Sequence, residues 1–495
     1  MKGRGLGAIA VVVALCATAS GRQNVLFTDA FPPEEFAARR AKVLTAIGDG
    51  IAVLQGATEY PAYVAFRQNN QFFYLTGVEV PRAIVLIDGR SQQTTLFLPA
   101  RNERAERSEG PLLVPGDEAA RLTGIANVRP RDEFAAAFDA AAKGGRAVYT
   151  PLRAESLGAG TPGAASAHAE ATAADPWDGR PSRETQFVER LKARTPGIDV
   201  KDLDPVLDTL RLIKSPKELA VLREATRLSG LGLMEGIRNA HPGMREHEVA
   251  AMADYVFARG GSQGIAYFPL VATGTNAFWP HYHAGAGELK PGDLVLFDYA
   301  PDYKYYSADV TRMFPASGTF SPAQRELYTI YLRLYQALMT SIRPNAAPRD
   351  IIRDAVAKMD AILSGFRFSS DTHRRVAEEF ISDFRNNTRN TLGHMVGMEV
   401  HDVYPPTELL KPGMVFTIEP ALTIDEDRTY VRLEDMILVT ETGYENLSAF
   451  VPAEPDALEK LMAETGRFED RPVSGSVPGR GPSVPRASAR PGVDR

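Results

Sequence analysis

The sequence predicts two domains: an α/β domain, then an α+β domain in which helices pack on one face of a curved antiparallel sheet. The chain has 495 residues, more than one hydrophobic core usually serves. Its first part mixes helical periodicity with short apolar runs separated by Gly, Pro and Asp. In its second part, helix-start signals alternate with two apolar strand pairs, each joined by a polar turn. These observations divide the chain near residue 200.

The first domain is predicted over residues 21–200. Apolar runs at 51–54, 83–87 and 94–98 predict buried strands. Residues 158–178 are rich in Ala, Gly, Pro and Thr and show no clear period, so we predict a loop or insertion there.

The second domain is predicted over residues 201–465 and opens with a strong helix start. Residues 215–218, Ser-Pro-Lys-Glu, supply an N-cap, a proline at the first helical position and an acid in the first turn. Further helices are predicted to begin near Gly243 and after residue 322.

Two strand pairs in this domain repeat one construction. A Lys-Pro-Gly triplet at 290–292 precedes an apolar run to Asp298, and the same triplet at 411–413 precedes a run to Glu419. Asp309 and Glu434 follow, across polar segments centred in residues 301–304 and 425–428 that can turn. Antiparallel pairing about these turns places each carboxylate opposite its partner. Because facing like charges on apolar strands are destabilising, the four acids predict a metal site.

Two histidines lie in a glycine-punctuated apolar segment just before Glu419, at His394 and His401. Carboxylates alone suit Mg or Ca, whereas an added imidazole shifts the preference toward Mn, Co, Fe or Zn. A lone histidine in such a segment is more often a core residue, so its metal role depends on the four acids nearby.

Five motifs follow one another in the second domain: Phe297-Asp298-Tyr299, Ala308-Asp309-Val310-Thr311-Arg312, Gly393-His394 with Val400-His401-Asp402, Thr417-Ile418-Glu419-Pro420 and Arg432-Leu433-Glu434-Asp435. They resemble the pita-bread metallopeptidases over about residues 201–452, and most closely the Xaa-Pro aminopeptidase (aminopeptidase P) and prolidase branch. Residues 66–68 and 72–77, Phe-Arg-Gln and Phe-Phe-Tyr-Leu-Thr-Gly, resemble the N-terminal domain of aminopeptidase P. The resemblance implies a creatinase/aminopeptidase P-like α/β N-terminal domain and a pita-bread catalytic domain.

The resemblance also implies a centre of two divalent metal ions, Mn before Co, Zn or Fe, held by five side chains: Asp298, Asp309, His394, Glu419 and Glu434. Glu419 would act as general base on the attacking water while remaining a ligand. His281 and His401 match histidines that bind the substrate near the scissile bond. Arg432 matches an arginine close to the metals, the alternative being a surface arginine on a strand.

The implied activity is removal of the N-terminal residue from peptides with proline in the second position. Proline-specific relatives usually carry a histidine four residues before the metal histidine, and this chain has Asn390 there, which weakens the inference of strict proline preference. Prolidase activity on Xaa-Pro dipeptides and relaxed specificity are the alternatives among enzymes, and an inactive pita-bread binding module is the alternative outside them. A homodimer or homotetramer is also implied.

Charge argues against one class of partner. Lys+Arg 56 against Asp+Glu 62 gives a net charge of -6, so no basic surface for nucleic acid is predicted.

The two ends of the chain have their own character. Lys2 and Arg4 precede an apolar run and a small-residue exit, which predicts a signal peptide over residues 1–20 and export to the periplasm or the medium. That run is too short to span a membrane. Lipid anchoring through Cys16, the one cysteine, is the less favoured alternative. Residues 466–495 are Pro, Gly, Ser and Arg with few large apolar side chains, so we predict a disordered tail.

Overall fold

The computed structural model describes residues 27, 29–59, 63–156, 160–386 and 391–467. The predicted signal peptide, Cys16, Asn390 and residues 468–495 of the predicted tail lie outside this part of the chain. Within it, no helix has both the length and the apolar character needed to cross a membrane.

The N-terminal unit (residues 29–202) is an α/β structure. Its strands are β1 (Ile51–Gln55), β2 (Ile84–Asp88), β3 (Gln93–Leu98), β4 (Asn127–Pro130), β5 (Val148–Thr150) and β6 (Val200–Asp202). Its helices are α1 (Pro33–Ile47), α2 (Asn70–Thr76), α3 (Glu103–Glu109), α4 (Asp117–Thr123), α5 (Phe134–Ala141), α6 (Pro162–Ala174) and α7 (Arg183–Arg194). The strands form one mixed sheet in the order β4-β3-β2-β1-β5-β6, which extends two residues past the predicted boundary at residue 200.

Helix α6 corrects the prediction of a loop over residues 158–178. Thr161 caps this helix by accepting a hydrogen bond from the Ala164 amide at 3.0 Å, and Pro162 occupies the first turn. Alanine is the strongest helix former, and none of the helix residues is buried. A helix without a buried face has no apolar period, so periodicity did not reveal it.

The C-terminal unit (residues 203–467) contains the three helices whose starts the sequence predicts. Its helices are α8 (Asp204–Leu212), α9 (Pro216–Asn239), α10 (Glu246–Arg259), α11 (Pro322–Met339), α12 (Pro348–Gly365), α13 (Asp371–Asn386) and α14 (Pro455–Met462). Ser215 caps α9, and Glu218 closes a capping box with it. The predicted starts of α9, α10 and α11 are confirmed.

The strands of this unit pair antiparallel. They are β7 (Gly264–Ile265), β8 (Leu270–Thr273), β9 (Leu294–Asp298), β10 (Pro301–Tyr303), β11 (Tyr306–Ser307), β12 (Thr311–Pro315), β13 (Val415–Ile418), β14 (Ala421–Ile424), β15 (Thr429–Arg432), β16 (Asp435–Val439) and β17 (Tyr444–Asn446). They are hydrogen-bonded in the orders β12-β9-β8, β13-β16-β17, β14-β15 and β11-β10-β7. The antiparallel arrangement agrees with the predicted α+β domain.

The two hairpins differ in how well the sequence predicts their register. In the second, Ile418 pairs with Asp435 and Ala421 with Arg432, so Glu419 and Glu434 come level as predicted. In the first, Asp298 pairs with Thr311 and not with Asp309, so the predicted pairing there is wrong by two residues.

The turn of the first hairpin explains this difference. Its two central residues, Lys304 and Tyr305, both have positive φ, 50° and 73°. The N-terminal unit holds Tyr305 in place: its ring stacks on Phe73 with centroids 3.6 Å apart, and its hydroxyl donates to Glu79 at 2.7 Å. Because side chains alternate along a strand, a shift of two residues keeps the same face, and the carboxylates still converge.

Candidate metal centre

The five predicted metal ligands come from both hairpins and from the segment before β13. Asp298 ends β9, Asp309 lies between β11 and β12, His394 precedes β13, Glu419 follows β13, and Glu434 precedes β16. Potential ligand atoms lie within 4.8 Å of one another in three groups: Asp298 with Asp309 and Glu434, His394 with Glu419 and Glu434, and Asp309 with His394 and His401. The structure therefore brings all five predicted ligands together.

His394 lies between the two hairpins. Its Nε2 atom is 3.4 Å from Asp309, 3.2 Å from Glu419 and 3.8 Å from Glu434. Burial lowers the pKa of His394, but the hydrogen bonds and charges of Asp309 and Glu419 outweigh it and raise that pKa well above its usual value. Conversely, His394 and Arg432 lower the pKa of Glu419 to about 2 despite its burial. The imidazole thus provides positive charge that a metal ion would supply in its place.

The inner carboxylates carry more negative charge than the protein balances. Burial, and then the charge of Asp309, raises the pKa of Asp298 to about 7. Burial and the charges of Asp309 and Glu419 raise the pKa of Glu434 well above its usual range. The Oε1 atom of Glu434 is buried and accepts no hydrogen bond from the described residues. A buried carboxylate oxygen that accepts no hydrogen bond, within a cluster of carboxylates, is suited to bind a divalent cation. The residues therefore fit the predicted divalent metal ions.

Arg432 is buried beside these acids, which contradicts the alternative of a surface arginine. Its side chain donates to Glu419 at 3.1 Å, to Asp298, and to the Thr311 hydroxyl at 3.1 Å. The residue is 5% exposed and can neutralise only part of the surrounding charge. It orients two of the candidate ligands.

The remaining predicted site residues lie toward the solvent. His401 is exposed, and its ring lies 3.9 Å from the ring of His394, centroid to centroid. Burial of part of the ring and the charge of His394 lower the pKa of His401, and His281 adds to this. His281 is also exposed, on the segment where the His283 ring packs on Phe268 at 4.1 Å. His401 is close enough to the acids to be a metal ligand itself, a role the sequence did not suggest.

Two hydroxyl groups at the centre were missed by sequence reasoning. The Tyr267 hydroxyl lies 2.5 Å from Asp298 and 2.7 Å from Asp309, so it can donate its one proton to either carboxylate of the first hairpin. The Thr311 hydroxyl donates to Glu434 at 2.8 Å. Thr311 belongs to one of the quoted motifs and offered a signal, whereas Tyr267 precedes β8 in a segment that showed none.

Comparisons with known proteins agree with this geometry. A model of metallopeptidase family M24 matches residues 220–441, and a model of the aminopeptidase P N-terminal domain matches residues 36–149. An Xaa-Pro aminopeptidase of Escherichia coli is 30% identical over 454 residues, covering 87% of this chain and 97% of the relative. The chain belongs to metallopeptidase family M24.

Solved structures extend the likeness to the whole fold of this M24 chain. A putative aminopeptidase P from Bacillus anthracis superposes with a TM-score of 0.73 at 26% identity, covering 88% of this chain and 99% of the other. Aminopeptidase P from E. coli with the inhibitor Pro-Leu gives a TM-score of 0.70 at 28% identity, with 87% and 98% covered. The predicted fold class, an aminopeptidase P N-terminal domain followed by a pita-bread catalytic domain, is confirmed. The M24 family and the carboxylate-imidazole cluster together support divalent metal as its cofactor.

Proposed function

We propose that this metallopeptidase is an Xaa-Pro aminopeptidase with a two-metal centre. The observation that carries the proposal is the convergence of all five predicted ligands in a chain that matches Xaa-Pro aminopeptidases along almost their whole length. Glu434 belongs to two of the ligand groups, which supports two adjacent ions. The mixture of carboxylate and imidazole suits Mn, Co, Fe or Zn, and of these we propose Mn as the native metal. Assembly into a homodimer or homotetramer stays a prediction.

Glu419 is the side chain best placed to handle the proton of the attacking water. It is 27% exposed, whereas the side chains of Asp298 and Glu434 are 3% and 1% exposed. Divalent ions, when bound, lower the pKa of water and stabilise negative charge developing on the peptide carbonyl. The low pKa of Glu419 keeps this carboxylate ionised, and its open side faces the solvent from which substrate and water arrive.

Arg432 and the two exposed histidines complete the site. Arg432 holds the carboxylates of Glu419 and Asp298 in fixed positions through its guanidinium group. His401 and His281 lie on the solvent side of the acids, where their ring nitrogens can hydrogen-bond the substrate beside the scissile bond. In this proposal the acids bind metal, and the histidines hold the peptide.

The defining experiment is hydrolysis of three peptides, each with added Mn and with chelator: an Xaa-Pro-Yaa tripeptide, the matching Xaa-Pro dipeptide and an Xaa-Ala-Yaa control. We expect Mn-dependent cleavage of the proline tripeptide. Cleavage of the dipeptide alone would identify a prolidase, and equal cleavage of the alanine control would show relaxed specificity connected with Asn390. Absence of any cleavage would favour a binding module and contradict the proposal.

Asp309→Ala tests the centre directly. Removing this carboxylate takes one ligand from two of the three groups, so we expect kcat/KM to fall by at least about a thousandfold. The protein should stay folded, because loss of one of several like charges relieves repulsion. Asp360→Ala, which changes an exposed aspartate on α12, is the matched control and should keep full activity. Retained activity in Asp309→Ala would refute the site.

A further inference from the structure

One segment of the N-terminal unit, residues 67–71, contacts two segments of the C-terminal unit that carry candidate ligands. Arg67 donates to Asp302 at 2.5 Å, and the Gln68 amide donates to the Tyr305 hydroxyl at 2.8 Å. Both partners lie in the turn region that joins β9 to β12. The Asn70 side chain donates to Glu399 at 2.8 Å, in the segment that joins His394 to His401.

Glu399 belongs to a buried, charge-balanced network. The Arg211 guanidinium, in α8, donates to Glu399 and to Asp402, and the Lys214 ammonium donates to Asp402 at 3.2 Å. The four residues are between 2% and 8% exposed. Two positively charged and two negatively charged side chains are therefore paired away from water. Removing one of them leaves a buried charge without its partner, which is strongly destabilising.

The two acids of this network flank His401. Glu399 precedes it by two residues and Asp402 follows it directly. Residues 395–402 turn tightly: the Asp402 backbone amide donates to the Met395 carbonyl at 2.7 Å, and the Gly397 backbone amide donates to the Glu399 carbonyl at 3.1 Å. His401 is exposed apart from its ring contact with His394, so its position depends largely on the anchored residues on either side.

We propose that Asn70 and Arg211 are positioning residues for the reaction. By holding Glu399 and Asp402, they fix the segment that presents His401 to the peptide, and Asn70 makes the N-terminal unit part of the active site. This inference rests on the proposed function, and in particular on the role of His401 in binding the substrate.

Asn70→Ala is the variant of choice. Arg211→Ala would leave the buried Glu399 carboxylate without a cation and Asp402 with Lys214 alone, and would unfold the protein easily. Asn70→Ala removes two hydrogen bonds to charged groups, the one donated to Glu399 and the one accepted from Arg67 at 2.6 Å. We expect kcat/KM for an Xaa-Pro-Yaa tripeptide to fall about tenfold with Mn content unchanged. Asn69→Ala is the matched control. Asn70 is the first residue of helix α2, and Asn69 caps that helix by accepting a hydrogen bond from the Phe72 amide at 3.0 Å. It should lower the melting temperature and leave kcat/KM within about twofold.

A double-mutant cycle with His401→Ala decides whether Asn70 acts through His401. We expect the loss caused by Asn70→Ala to disappear when His401 is already absent. An equal loss in both backgrounds, no loss at all, or a tenfold loss in Asn69→Ala would overturn the proposal. If His401→Ala keeps full kcat/KM, there is nothing for Asn70 to position and the inference is wrong. Metal-dependent cleavage of the tripeptide by the parent enzyme would still support the proposed function.

Discussion

Single buried carboxylates in this molecule fall into two groups. Glu399, Asp402 and Asp435 each have a buried cation as partner, and Arg312 lowers the pKa of Asp435 against the effect of burial. Asp298 and Glu434 share Arg432 with Glu419, and their pKa values are raised. These three structural acids are thus matched by protein charges, whereas the candidate ligands Asp298 and Glu434 are not. This contrast separates a metal site from a structural ion-pair network.

Glu79 offers a test of a buried carboxyl outside the centre. Burial raises its pKa from 4.5 to about 7, although Tyr305 and Arg67 oppose the shift. Because the pKa of Glu79 is raised in the folded protein, its protonation stabilises the folded state. This stabilisation is complete below pH 4.5 and is lost as the pH rises through 7. Glu79→Gln keeps an acceptor for the Tyr305 hydroxyl and removes the charge. We expect it to stabilise the protein at pH 8, by at most about 3 kcal/mol, and much less at pH 5.

Thermal unfolding of Glu79→Gln and of the parent protein at the two pH values measures this effect. An equal change in melting temperature at pH 5 and pH 8 would show that the charge of Glu79 is not responsible.

Among the elements, the segment before β13 places the imidazole of the candidate ligand His394. Gly393 precedes His394, and a Cβ atom on it would overlap the carbonyl oxygen of Thr417 in β13. The Thr417 amide also donates to the His394 carbonyl at 2.9 Å. Close contact between the two backbones therefore fixes where the imidazole enters the centre, and only glycine permits it.

Gly393→Ala should displace His394 and weaken metal binding. We expect Mn content after dialysis to fall and kcat/KM to drop by about a hundredfold or more, because small displacements of catalytic groups are costly. Gly443→Ala is the control, since a Cβ atom there meets no atom within 4 Å. Equal Mn content in the two variants would contradict this account of Gly393.

The elements also show what the sequence could and could not predict. Capped helices were predictable because their signals are local, as at Ser215. The second hairpin was predictable because its turn, around residues 425–428, is set by its own polar residues. The predicted register of the first hairpin was wrong by two residues. Its turn residue Tyr305 is held by Phe73 and Glu79, which lie more than 200 positions away in the sequence. Register that depends on such distant contacts cannot be derived from the strands alone.

The candidate site was predicted more completely than the fold around it. All five ligands converge, because ligand side chains are fixed by motif and a two-residue shift keeps them on one face. Tyr267 was missed, since a single tyrosine before a strand carries no pattern, and α6 was missed because it buries no face. A site built from several ligand motifs can be predicted from the sequence. A single hydrogen-bond donor that tertiary packing brings to the site cannot.

For the whole molecule, metal should change how stability depends on pH. Without metal, the raised pKa of Asp298, about 7, means that stability falls as the pH rises through 7. Bound cations favour the ionised carboxylates and remove this loss. We therefore expect added Mn to raise the melting temperature of chelator-treated protein more at pH 8 than at pH 6.

Scanning calorimetry with and without Mn at each pH tests this expectation. Asp309→Ala serves as the control and should gain little at either pH. An equal gain at pH 6 and pH 8 would show that the carboxylates are already ionised in the metal-free protein.

The spread of the ligands along the chain, from Asp298 to Glu434, has a consequence for biosynthesis. Glu434 belongs to two of the three ligand groups and is the last ligand to leave the ribosome. Until Glu434 is made, the nascent chain holds an incomplete set of candidate ligands. We therefore expect tight metal capture to be a late event, and metal content to report how much of a preparation has reached the finished fold.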